Sequence, residues 1–136
     1  MSPAPRLLAL VALGGALGAV VRWALLEVSP DPAGTFPWTT LAINVVGSAL
    51  LAAAGLLAAI RRSRGLAAFL GPGVMGGFTT LSAASEQTRA LLDAGRPGPA
   101  AAYVVGSLAA ALLAVTAVHA WAARREDDRT PRGEGP

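Results

Sequence analysis

The residues with the most chemical content lie together in one apolar stretch past the middle of the chain. There Gly76-Gly77-Phe78-Thr79-Thr80 is followed by Ser82, Ser85, Glu86 and Gln87. Paired glycines in such a setting unwind a helix and leave carbonyls without intrahelical partners. Backbone of that kind is tolerated at membrane depth only when it is buried in protein or lines a cavity, where its carbonyls can hold a cation. The hydroxyls that follow supply hydrogen-bond donors. Packing flexibility accounts for two glycines but not for the whole cluster.

Three further sets recur at helical spacing. Asn44, Gly47, Ser48, Leu51 and Gly55 share a segment in which Asn44 is the only amide. An amide among alanines and valines needs a partner, either another helix or something passing through. Gly14, Gly18 and Arg22, four residues apart, share a face on which another helix can approach closely. For the glycines packing is the plain reading. Arg22 is a charge inside an apolar run, so it must face protein or water, or snorkel to the interface. Tyr103, Gly106, Ser107, Ala110 and Ala111 pair two hydroxyls with small residues. His119 stands alone with no partner at metal-ligand spacing, and Glu27, Asp31, Glu86 and Asp93 form no acid/base pair. No nucleophile motif is present, so the chain does not read as an enzyme. With no cysteine there is neither a disulfide framework nor a thiolate metal site.

The elements that position these residues follow from the hydropathy pattern. The 136-residue chain is 54% hydrophobic and 14% charged, the wrong balance for a soluble domain of this size. Its charges fall between apolar runs long enough to cross a hydrocarbon core as helices. The pattern predicts an all-α integral membrane protein with spans at about 7–26, 38–60, 66–92 and 99–123. Residues 1–123 form one channel-like unit and 124–136 a disordered tail rich in charge, Gly and Pro. Gly71-Pro72-Gly73 and Gly76-Gly77 are too many breakers for the third span to be one continuous rod. Trp23, Trp38 and Trp121 near span ends read as interfacial anchors.

All eleven basic residues are arginine. Their placement at helix ends and in the tail, with a net charge of +3, suits a lipid bilayer with anionic headgroups and not nucleic acid. Arg6, Arg61, Arg62, Arg64, Arg124, Arg125, Arg129 and Arg132 share one side of a four-span topology, and Arg89 and Arg96 lie on the other. Eight against two places both termini in the cytoplasm of a multi-pass protein of the inner (plasma) membrane. Neutral donors at mid-membrane suit a small, strongly hydrated anion, whose water shell they could replace. The first span has no carboxylate before Glu27, which disfavours a small multidrug-type, proton-coupled exporter.

Several strings resemble the Fluc/CrcB family of fluoride channels. Gly14-Gly15-Ala16-Leu17-Gly18-Ala19-Val20-Val21-Arg22 looks like the family's opening motif, and Thr40-Leu41-Ala42-Ile43-Asn44-Val45-Val46-Gly47-Ser48 like its second-helix motif. Gly73-Val74-Met75-Gly76-Gly77-Phe78-Thr79-Thr80-Leu81-Ser82 resembles the third, and Tyr103 with Ser107 occupies matching fourth-helix positions. The resemblance implies an antiparallel, dual-topology dimer that passively exports fluoride through two pores, with a structural Na+ between subunits. It would place Na+ on the backbone oxygens of Gly76 and Thr79. Asn44, Thr80, Ser82, Tyr103 and Ser107 would lie along the fluoride path, and Arg22 at an electropositive vestibule.

The chain departs from the family pattern Thr-Thr-Phe-Ser-Thr-Phe, reading Thr79-Thr80-Leu81-Ser82-Ala83-Ala84. Both phenylalanines are lost, and an aliphatic side chain lacks the ring quadrupole whose positive edge attracts an anion. Phe78 lies three residues away on another part of the helix turn. The arginine bias adds to this, because a chain that inserts both ways up should carry balanced loop charges. Together they point to one half of a heterodimer with an oppositely oriented paralogue that supplies the phenylalanines. A homodimer and a non-conducting structural subunit are the alternatives. Expressed alone, the chain should insert in one orientation with both termini cytoplasmic. Single cysteines engineered at each end and probed with an impermeant thiol reagent test this cleanly in a cysteine-free background. Equal labelling from both sides would remove the heterodimer argument.

Overall fold

Leucine, alanine and valine dominate the apolar runs, and the first two are strong helix formers that lipid leaves no alternative but to satisfy their own backbone. The computed structural model describes residues 3–127. Among them, four helical rods are long and apolar enough to cross a membrane. Helix α1 spans Pro3–Val28 and α2 Trp38–Leu56. Two short helices follow, α3 (Ala58–Arg62) and α4 (Arg64–Ala68). The third rod continues from α4 through a π-helical segment, Phe69–Met75, into α5 (Gly76–Phe78) and, beyond an interruption, α6 (Leu81–Asp93). The last rod is α7, Pro97–Asp127.

Helix α1 begins at Pro3, four residues before the expected start, and two further boundaries differ from the hydropathy reading. Helix α2 stops at Leu56 instead of Ile60, because Leu57 turns to an extended conformation (ψ 119°). Its 19 residues already measure about 28 Å at 1.5 Å per residue, close to the thickness of the hydrocarbon core. The arginine-bearing stretch therefore folds separately as α3 and α4, with Ser63 Oγ accepting from Leu66 N at 3.2 Å to cap α4. At the other end, α7 carries on through Arg124–Asp127, where the tail was expected to begin. Arg125 there lies 4.1 Å over the Trp121 ring, a cation–π contact that extends the helix into the interface. The remainder of the expected disordered tail, residues 128–136, lies outside the described residues.

The third rod is broken, as the Gly and Pro content predicts, but the glycines are not where it unwinds. Pro72 offers no N–H and crowds the preceding turn, and the helix widens to the π form around it. A short helical turn then carries Gly76 and Gly77. The interruption falls at Thr79 (ψ 156°) and Thr80 (φ −150°), both extended. Gly77 serves close approach: a Cβ there would overlap the Gly15 carbonyl of α1. Gly14 and Gly18 meet the other side of the same seam, against the carbonyls of Phe69 and Val74. Backbone thus packs directly on backbone between α1 and the π segment.

At the opposite end, α6 closes in a Schellman turn. Arg96 N donates to Leu91 O and Gly95 N to Leu92 O, both at 2.9 Å, with Gly95 left-handed (φ 70°). The turn delivers Pro97 to the first position of α7, where its missing N–H costs nothing. Leu91, Ala100 and Tyr103 are buried here against Phe36, Leu41 and Ala84. The preceding loop is pinned by Asp31, whose carboxylate accepts from Thr39 N (3.0 Å), Thr40 N (2.8 Å) and Thr40 Oγ1 (2.7 Å), so capping α2 from outside it. Only 6–17% of each span's most apolar window is buried within the chain, which leaves the rest for lipid or a further subunit. Asp31→Ala should lower stability by about 1–2 kcal/mol through loss of this cap. Thermal unfolding in detergent would register the change, and an unaltered midpoint would mean that water caps α2 equally well.

Candidate functional site

The interruption at Thr79–Thr80 has to satisfy its peptide groups from outside its own helix, and α2 provides the means. Asn44 donates from Nδ2 to Thr80 O at 3.1 Å and accepts at Oδ1 from Thr80 N at 2.8 Å. A single carboxamide therefore pairs with both polar groups of one residue. Thr80 in turn caps α6, its Oγ1 accepting from Ala83 N at 3.1 Å. On the far side, Arg22 of α1 donates from Nε to Gly77 O at 3.2 Å. Gly47 keeps α2 close, since a Cβ there would overlap the Thr79 methyl and stand 3.1 Å from the Phe78 ring.

Beside this junction runs an open groove of about 930 Å³ between α2, the broken rod and α7. Its wall on α2 is Asn44, Gly47, Ser48 and Leu51, and on α7 it includes Tyr103, Val104, Ser107 and Ala111. The floor is Gly76, Thr79 and Thr80, with Leu81, Ala84, Ser85 and Thr88 of α6 continuing it. The groove is lined by hydroxyls, amide and aliphatic groups, with no carboxylate or cationic side chain among them.

Two of its polar atoms stand out. Tyr103 Oη and Ser107 Oγ are buried close to one another, and neither makes a hydrogen bond of good geometry to any other group among the described residues. They lie on successive turns of α7 within reach of one another, beneath the groove surface, and either can turn toward a solute that enters the wall. Ser48 and Thr88 also line it, but their hydroxyls already donate to Asn44 O and Ala84 O of their own helices, each at 2.8 Å. Asn44 keeps one of its two Nδ2 protons, and Ser85 adds a further hydroxyl to the lining, so the groove offers several neutral donors. A buried hydroxyl without a partner is costly, and that cost is recovered when a ligand accepts its proton.

The structure gathers six of the eight residues singled out from sequence. Asn44, Gly76, Thr79, Thr80, Tyr103 and Ser107 all line the groove. Arg22 is half-buried and holds the opposite side of the break through Gly77, away from the groove wall. Ser82 is exposed and takes no part in the lining. Leu81 and Ala84, where aromatic rings were missed, both face the groove, and Leu81 is 83% exposed. Phe78 cannot replace them, being buried against Gly47 and a separate apolar hollow between α1 and α2. Sequence reasoning missed Thr88 as a lining residue, although it follows Thr80 and Ala84 at steps of four along one face. It also missed Asp31, whose partners are eight and nine residues downstream.

Residues 9–119 match the family described as CrcB-like protein, Camphor Resistance (CrcB). The chain is 44% identical over 119 residues to "Fluoride-specific ion channel FluC 1" of Streptomyces coelicolor, covering 86% of this chain and 77% of that protein. It is 47% identical over 106 residues to "Fluoride-specific ion channel FluC" of Novosphingobium aromaticivorans, covering 75% and 84% of the two chains. A protein of the same name from Anaeromyxobacter dehalogenans is 47% identical over 124 residues, covering 82% and 94%. Asn44→Ala should cost about 2–4 kcal/mol, because both peptide groups of Thr80 lose their partner in apolar surroundings. A loss under about 0.5 kcal/mol in detergent unfolding would show that the break is satisfied some other way.

Proposed function

The chain belongs to the CrcB family, and from that membership we propose that it is a subunit of a fluoride-specific ion channel in the plasma membrane. The observation that carries the reading is the pair of hydroxyls, Tyr103 Oη and Ser107 Oγ, buried in the wall of an open groove beside the helix break with no partner but one another. Fluoride is small and holds its hydration shell strongly, so a selective path has to replace water with donors. It must also bind weakly enough for the ion to leave again. Neutral hydroxyls meet both demands. Asn44 belongs to the same wall, and its first duty is to hold the break. Transport would be passive, expelling fluoride that enters as the neutral acid and ionises in the cytoplasm. A proton-coupled exporter is disfavoured by a groove whose lining has no carboxylate.

The groove is open along one side, so a second subunit is needed to close a conduit around it. We read that partner as antiparallel, and the arginine bias favours an oppositely oriented paralogue over a second copy. With both termini in the cytoplasm, Leu81 and Ala84 would face rings that only the partner brings. Arg22 would add positive potential near the mouth, and Ser82, exposed in the single chain, would meet the path only at the interface. A structural Na+ fits the oxygen-only chemistry of the break, with the carbonyls of Gly76 and Thr79 as its ligands and neutral backbone as its surroundings. A non-conducting subunit is the second reading, favoured by the two aliphatic residues on the groove.

Fluoride efflux from liposomes, with the chain alone and with a co-purified paralogue, tests the proposal. Tyr103→Phe and Ser107→Ala should each slow efflux about ten- to a hundredfold, the value of one hydrogen bond to an ion, with little change in thermal midpoint. Unchanged flux in the double variant would remove the two hydroxyls from the path. Silence of every wild-type preparation would favour the non-conducting subunit.

A further inference from the structure

The interruption owes its open carbonyls to two side chains. In an unbroken helix the Thr80 N–H would bond the Gly76 carbonyl and the Ala83 N–H would bond the Thr79 carbonyl. Here Asn44 Oδ1 takes the Thr80 N–H at 2.8 Å, and Thr80 Oγ1 takes the Ala83 N–H at 3.1 Å. Each diversion strips one carbonyl of its helical donor, and the two carbonyls are those of Gly76 and Thr79. Of the neighbouring carbonyls, Gly77 O accepts from Arg22 and Thr80 O from Asn44. Space is available as well, because a Cβ built on Gly76 meets nothing within 4 Å.

We propose that Asn44 and Thr80 are positioning residues for the structural cation: by capturing the Thr80 and Ala83 N–H groups they hold the Gly76 and Thr79 carbonyls out of the helix and available to Na+. The proposal rests on the reading that the channel binds Na+ at this break. The Thr80 hydroxyl is the more decisive of the two. Its loss frees the Ala83 N–H to rejoin the Thr79 carbonyl, winding α6 back by a turn and removing a ligand. A β-branched residue also favours the extended backbone at this position, so valine keeps the shape while deleting the oxygen.

The test is the thermal midpoint of the purified assembly titrated with Na+ at constant ionic strength, N-methylglucamine replacing the cation. Wild type should gain stability with Na+. Thr80→Ser, which keeps the hydroxyl, should show the same half-saturating concentration within about twofold, while Thr80→Val should raise it by about tenfold or more. Thr80→Ala deletes the oxygen without a second methyl group, and serves where the valine variant does not fold. If valine and alanine lower the midpoint without Na+ yet keep the wild-type half-saturation, Thr80 is an ordinary helix cap and the proposal falls. If wild type itself is indifferent to Na+, the sodium reading falls and takes the proposal with it. The two failures are therefore told apart by the wild-type titration.

Discussion

Asn44 and the Thr80 peptide meet at two points, and much else in the molecule is arranged around that pairing. A helix can be interrupted in lipid only if protein supplies the hydrogen bonds its backbone gives up, since each unsatisfied group there costs several kcal/mol. Asn44 reaches the gap from α2 because Gly47, one turn on, lets the two rods approach to contact with Phe78 and Thr79. Arg22 reaches the other side from α1 because Gly14, Gly18 and Gly77 remove every side chain between those backbones. The third rod is held from two directions, and the groove runs between it, α2 and α7.

Glycine therefore acts here mainly through distance. The sequence argument that paired glycines unwind a membrane helix led to a break in the right rod but placed it a few residues early. Gly76 and Gly77 stay helical, and the chain extends at two threonines whose branched side chains favour that conformation. Span number and the composite third rod were legible, because hydropathy and proline report on lipid and on missing N–H groups directly. The end of α2 was not, since hydropathy follows where apolar side chains stop and not where the backbone bends. Asp31 was equally hidden: its sequence reads as a loop acid, and only the fold brings it over the first turn of α2. Tyr103 and Ser107 were legible as a pair because i and i+4 share a face, whereas Ser82 sits on a Ser/Thr track that the first turn of α6 rotates outward.

The junction also separates two kinds of polarity. Carbonyl oxygens carry partial negative charge and suit a cation, while hydroxyl hydrogens suit an anion, and here they belong to different walls of one groove. Side-chain diversion puts the free carbonyls at the kink itself, with the free hydroxyls across the groove on α7. Two hydroxyls of α2 and α6 are quieted locally, since Ser48 and Thr88 donate to their own helices. Leu81 and Ala84 of α6 add an aliphatic stretch to the same groove.

That aliphatic surface bears on assembly. Leu81 is the most exposed large side chain on the groove, and leucine presents neither the edge of a ring nor a hydrogen-bond donor to an ion. A second copy in antiparallel register would bring another Leu81 and Ala84 to the same interface, and neither conduit would hold an aromatic edge. An oppositely oriented paralogue would bring its own residues instead, and the biased arginines supply the means of fixing which chain faces which way. Under the proposed pairing, the two features that depart from the family pattern, one in the groove and one in the loops, would have a single cause. A subunit that never has to insert both ways up need not balance its loops, and one whose partner carries the rings need not keep them.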